Sequence, residues 1–145
     1  MSDIEVEFHE ETYRELFQEV LKDYPGLADQ IKRDFTRYIA TGIPAEYFGK
    51  VDLYLQPPLA YDARLWHMHL AIAPFKFPLN RPQQDRKCRL GDPGNDAALV
   101  YVQGLLEENK YRLLAIFYPD AHAKAKQHKI MSYLARLAKD FRDNN

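Results

Sequence analysis

Residues 98–118, ALVYVQGLLEENKYRLLAIFY, decide the fold. Ala98–Leu105 and Tyr111–Tyr118 are rich in Val, Leu, Ile and Tyr, which suit a pleated, partly buried surface, and the polar run Glu107-Glu108-Asn109-Lys110 separates them. The segment predicts a β-hairpin. Toward the N-terminus, Leu65–Ala73 supplies another strand, in which Trp66, Met68, Leu70 and Ile72 alternate with His67 and His69. Sorting by period two sends both histidines to one face, away from the core. Ile4, Val6 and Phe8 alternate in the same way with Glu5, Glu7 and His9, giving a short first strand.

Elsewhere the period is helical. Tyr13, Leu16, Phe17, Val20, Leu21 and Tyr24 recur at three- and four-residue steps until Pro25-Gly26, and Leu27, Ile31, Phe35, Tyr38 and Ile39 repeat the pattern up to Gly42, a C-terminal cap. Asp120 caps a last helix whose stripe is Ile130, Leu134, Leu137 and Phe141. Ala45–Tyr61, with Gly49 and Pro57-Pro58, reads as connecting chain, and Pro74–Gly94 as a long loop rich in Pro, Gly and Arg. The order is β-α-α-β-β-β-α. It predicts an α+β fold: a mostly antiparallel sheet with helices on one face and function on the other.

The 145 residues, 46% of them hydrophobic, fit a single domain over 1–145. No stretch is long and apolar enough to span a membrane, and the acidic start Met1-Ser2-Asp3-Ile4-Glu5 is unlike a signal peptide, so a cytoplasmic location is expected. Cys88 is the one cysteine, which excludes an internal disulfide and a multi-cysteine zinc site. The net charge is −1, yet residues 1–63 hold 6 basic and 13 acidic residues while 64–145 hold 14 and 8. This division predicts a basic working surface in the C-terminal half, suited to phosphates.

His67 and His69 present two imidazoles to one side, and imidazole is the side chain most readily used as acid or base near neutral pH. A metal is not expected, because no neighbouring Cys, Asp or Glu cluster supplies a third and fourth ligand at a recognised spacing. Lys76, Arg81, Arg86, Lys87 and Arg89 form a basic loop able to hold a phosphodiester through charge-assisted hydrogen bonds. Tyr101 and Gln103 share a face and are placed beside the histidines if the strands pair; His122 falls in the first turn of the last helix. RNA cleavage without a metal needs a base for the 2′-hydroxyl, cations for the phosphorane and an acid for the leaving 5′-oxygen. These residues supply each part, with no cofactor.

Several short motifs run in one order: Gly42-x-Pro44, Phe48-Gly49, Asp52-x-Tyr54, His67-x-His69-Leu70-Ala71 and Leu99-Val100-Tyr101-x-Gln103-Gly104, then Leu114-x-Ile116, Pro119-x-x-His122 and Ala138-x-x-Phe141-Arg142. Over residues 35–142 the chain thereby resembles the YafO toxins of bacterial type II toxin–antitoxin systems, within the RelE-like group. The resemblance implies a RelE-like fold and an mRNA interferase that binds the ribosome, cuts the translated message and is restrained by a cognate antitoxin. It carries His67, His69 and His122 over as acid/base or positioning candidates, with Tyr101 and Gln103 as face neighbours. Arg81, Arg86 and Arg89 rest on chemistry alone, and the acidic N-terminal helices depart from the family. Two other classes fit the residues: a non-catalytic RNA- or protein-binding module of the same fold, and a metal-dependent hydrolase using His67 and His69.

Overall fold

The computed structural model describes residues 3–145; Met1 and Ser2 of the acidic start lie outside the described residues. The hairpin forms as the sequence predicts, from β4 (Ala97–Gln103) and β5 (Lys110–Phe117). A Cβ on Gly104 would overlap the Glu107 carbonyl oxygen, so the tight turn requires glycine there. β3 (Trp66–Leu70) pairs antiparallel with β4, setting His67 opposite Val100 and His69 opposite Ala98. β1 (Glu5–Phe8) joins β5 in parallel.

The sheet has five strands, in the order β1-β5-β4-β3-β2, which adds a strand to the sequence reading. β2 (Phe48–Leu53) and a short helix, α2 (Pro58–Asp62), occupy the segment read as connecting chain. A register shift between Phe48 and Val51 breaks the alternation that announces a strand. Pro58, which looks like a breaker, sits at the start of α2, where its missing N–H costs nothing.

Helices also differ in detail. Before Pro25 the chain forms turns around one π-helical turn, Arg14–Gln18, that buries Phe17. α1 (Leu27–Thr41) ends as expected at Gly42, left-handed at φ 77°, whose N–H caps the Tyr38 carbonyl. The C-terminal helix is two: Asp120 caps the single turn α3 (Ala121–Lys124), and α4 (His128–Asn144) carries the buried stripe of Met131, Leu134, Ala135, Leu137, Ala138 and Phe141.

Helices cover both faces of the sheet, not one. Along β4, Ala98, Val100 and Val102 pack toward α2 and α4, whereas Ala97, Leu99 and Tyr101 pack toward Phe17 and the α1 residues Ile31 and Phe35. The period of two therefore divides two cores. Among the described residues, no helix is long and apolar enough to cross a membrane.

Candidate active site

Alternation along β3 turns Met68 and Leu70 into the α1-side core and His67 and His69 onto the α4 side. That side is not the open face the sequence reading gave them. Both imidazoles are half-buried in a small cleft of about 40 Å³, between the sheet and α3. His67 stacks on Tyr54, with ring centroids 4.0 Å apart and planes 11° apart, and its Nδ1 is buried without a hydrogen-bond partner among the described residues. The His67 and His69 rings are 5.9 Å apart, and His122 follows at 6.0 Å from His69.

His122 reaches the cleft because α3 is fastened to Asp96. The Asp96 carbonyl accepts the Ala121 N–H at 3.2 Å, and its carboxylate Oδ2 accepts the His122 N–H at 2.8 Å. The same Oδ2 lies 2.6 Å from His122 Nδ1, and Asp96 is only 2% exposed. Three histidines from two distant segments are thus brought together around a buried carboxylate. Burial is the chief force holding the His67 and His69 pKa values down to about 4; like charge on His69 adds to the effect at His67, and that on His122 at His69. Both rings are therefore neutral near pH 7.

The loop after β3 is a strap rather than a loose basic arm. The Arg86 guanidinium donates to the carbonyls of Ala45, Phe48 and Arg81, and the Arg86 carbonyl accepts the Lys50 N–H. Gln83 and Gln84 add side-chain bonds to Gly49 and Val51. At Gly49 a Cβ would overlap the Arg86 carbonyl oxygen and press on the Phe77 ring. Further along, the Cys88 N–H donates to His69 Nδ1 at 2.8 Å, so the exposed Lys87 and Arg89 flank a residue whose amide is bonded to a cleft histidine.

The basic residues consequently separate. Lys76, Arg81 and Arg86 line a different groove of about 790 Å³, shared with Leu27 and Ile31 of α1. Tyr101 does not join the histidines. It pairs with Trp66 across β3 and β4, which gives it Trp66's face, and it is 5% exposed with its ring 4.8 Å from Phe35. Gln103 sits at the hairpin end, where its side chain donates to the Glu108 carbonyl.

Four residues in or beside the cleft are not read from the sequence as site residues: Lys50, Asp52, Tyr54 and Asp96, although Asp52-x-Tyr54 is one of the family motifs. Asp52 is the register partner of His67 and pairs with Lys50 at 3.0 Å. Lys50, Asp52 and Tyr54 do alternate with Val51 and Leu53, the signal that reveals the strand and its polar face together. Asp96 carries no such local signal, since its role arises from a contact across 26 residues of chain. Among the described residues, no group of three or more His, Cys, Asp or Glu side chains is arranged to hold a metal ion.

Comparison with known proteins bears on this site. The chain is 33% identical over 117 residues to an mRNA interferase toxin YafO of Escherichia coli (strain K12), covering 79% of this chain and 84% of that one. No solved structure matches. The family described as toxin YafO of type II toxin–antitoxin systems matches residues 36–143, a span that takes in every residue of the histidine cleft, and this chain belongs to that family.

Proposed function

We propose that the chain is a ribosome-dependent mRNA endoribonuclease, the toxin of a type II toxin–antitoxin pair, and that it cuts RNA without a metal ion. One observation carries the chemistry: His67, His69 and His122 converge on one cleft, with ring centroids about 6 Å apart. The fold on this reading is a RelE-like sheet extended at one edge by β2.

In the reaction the 2′-oxygen bonds to phosphorus and the bond from phosphorus to the 5′-oxygen breaks. A base in the cleft takes the 2′-hydroxyl proton; a water molecule protonates the leaving 5′-oxygen, and the hydroxide left behind recovers the proton from that base. The products are a 2′,3′-cyclic phosphate and a 5′-hydroxyl, with no net proton change. Lys50 at the cleft edge, with Lys87 and Arg89 on the strap, supplies positive charge for the phosphate.

Ribosome dependence follows from how little the protein offers RNA by itself. The net charge is −1 and the cleft is small, so sequence-independent attraction to a free message is weak. A ribosome that already holds the message removes that demand. The partner that restrains the toxin is a cognate antitoxin, and an acidic segment of it complements the basic C-terminal half. Cytoplasmic action goes with this reading.

Primer extension on a defined mRNA, with and without translating ribosomes, tests the proposal. New ends that need both protein and ribosomes support it. Folded protein that binds ribosomes and produces no ends leaves a non-catalytic binding module instead.

A further inference from the structure

We infer that Asp96 positions His122 as the proton-transfer group of the cleft, while the Cys88 amide fixes His69 as a neutral N–H donor that binds the phosphate. The inference rests on the RNA-cleavage reading and divides its labour among residues that look equivalent in sequence. It follows from which ring nitrogens are already engaged.

At His122, two donors converge on one oxygen. The buried Asp96 Oδ2 accepts the backbone N–H at 2.8 Å and lies 2.6 Å from Nδ1. A carboxylate oxygen only accepts, so Nδ1 carries the ring proton. Nε2 is left with its lone pair and can take a proton, and the imidazolium then formed is held by the carboxylate beside it. The backbone bond to the same oxygen keeps Asp96 from swinging away as the charge moves.

At His69 the logic reverses. A backbone N–H can only donate, so the 2.8 Å bond from Cys88 requires a bare Nδ1 and puts the ring proton on Nε2. Taking a second proton at Nδ1 means losing the Cys88 bond and setting two N–H groups against each other. His69 therefore stays neutral and donates from Nε2 to a phosphate oxygen. The low pKa of His69, caused first by burial and then by His122, agrees with this state. His67, stacked on Tyr54 with Nδ1 buried, has less access than either.

Asparagine variants separate the roles, because an Asn side chain reaches about as far as imidazole Nδ1. His122→Asn keeps a donor toward Asp96 and removes Nε2; His69→Asn keeps an acceptor for Cys88 and removes the Nε2 proton. On translating ribosomes we expect His122→Asn to lower kcat about 100- to 10,000-fold and His69→Asn about 100-fold. Asp96→Asn, which removes charge and keeps an acceptor, should lower kcat at least about 100-fold with KM held.

The second readout needs no substrate. Long-range 1H–15N spectra of histidine-labelled protein should show His122 protonated at Nδ1 and His69 at Nε2, and Asp96→Asn should shift the His122 Nδ1 proton upfield while leaving the His69 tautomer unchanged. A wild type with His122 protonated at Nε2, or a folded Asp96→Asn that cleaves like wild type, overturns the inference. A folded wild type that never cuts overturns the cleavage reading on which it rests, whatever the tautomers.

Discussion

The Cys88 amide donates to His69 Nδ1 at 2.8 Å, joining the strap after β3 to a side chain of β3 itself. The bond places the strap and the cleft in one mechanical unit. The same strap is pinned further back by Arg86, whose carbonyl receives the Lys50 N–H of β2. Anything that lifts Arg86 from β2 should therefore be felt at His69.

Gly49→Ala is the direct test of that coupling. The new Cβ meets the Arg86 carbonyl oxygen, a backbone atom that cannot rotate aside, and the Phe77 ring. Overpacking of this kind costs about 1–3 kcal/mol. We expect a lower Tm, faster exchange of the Cys88 amide and weaker cleavage together. Normal exchange at Cys88 beside a lowered Tm would show that the strap and the cleft move independently.

Acid should destabilise the protein through His67 and His69. Both have folded pKa values of about 4 against an ordinary 6.5, chiefly because burial disfavours their charged forms. Between those values the unfolded chain binds more protons than the folded one, so stability is present above pH 6.5 and is lost as the pH falls toward 4. The charged and titratable groups near them, Lys50, Asp52, Asp96 and His122, are retained in His67→Gln. Its Tm should fall less steeply than that of the wild type across this window, as followed by thermal melts; parallel curves would refute the assignment.

The limits of the sequence reading have physical causes. β1, β3, the hairpin, α1 and the α4 stripe were legible because each repeats one period over enough residues. In β2 the register shift and Gly49, which is required where the strap crosses it, break the pattern at the start of the strand and leave only Lys50 to Tyr54 to alternate, too short a run to stand out. The two histidines of β3 were legible as a pair; their burial was not, since a polar face by alternation says nothing about a helix that arrives 50 residues later. Asp96 was illegible because its function lies in one long-range bond.

Tyr101 gives a clear negative prediction. It is 5% exposed in the α1-side core, with Phe35 and Tyr111 against its ring, on the opposite face of the sheet from His67 and His69. Tyr101→Phe preserves the ring and removes only the hydroxyl. Its cleavage rate should stay within about twofold of wild type, well inside the loss expected of a proton-transfer group. A loss of 100-fold with the fold intact would return Tyr101 to the reaction.

Lys50 and Arg86 should fail in opposite ways, although both are cations joined to β2. Arg86 spends its guanidinium on the carbonyls of Ala45, Phe48 and Arg81, so Arg86→Ala strands acceptors at the start of β2 and in the strap and should cost about 1–3 kcal/mol of stability. Among the described residues the Lys50 ammonium pairs with Asp52 alone, a half-exposed carboxylate 3.0 Å away, and such surface pairs add little to the fold. Its charge remains available to a phosphate entering beside His67 and His69. Lys50→Gln should therefore melt like wild type and cleave about 10- to 100-fold less well, the scale of one lost hydrogen bond to a charged group. Melting curves and ribosome-dependent cleavage rates of the two variants decide the matter: equal losses of stability in both would reduce Lys50 to a second structural cation.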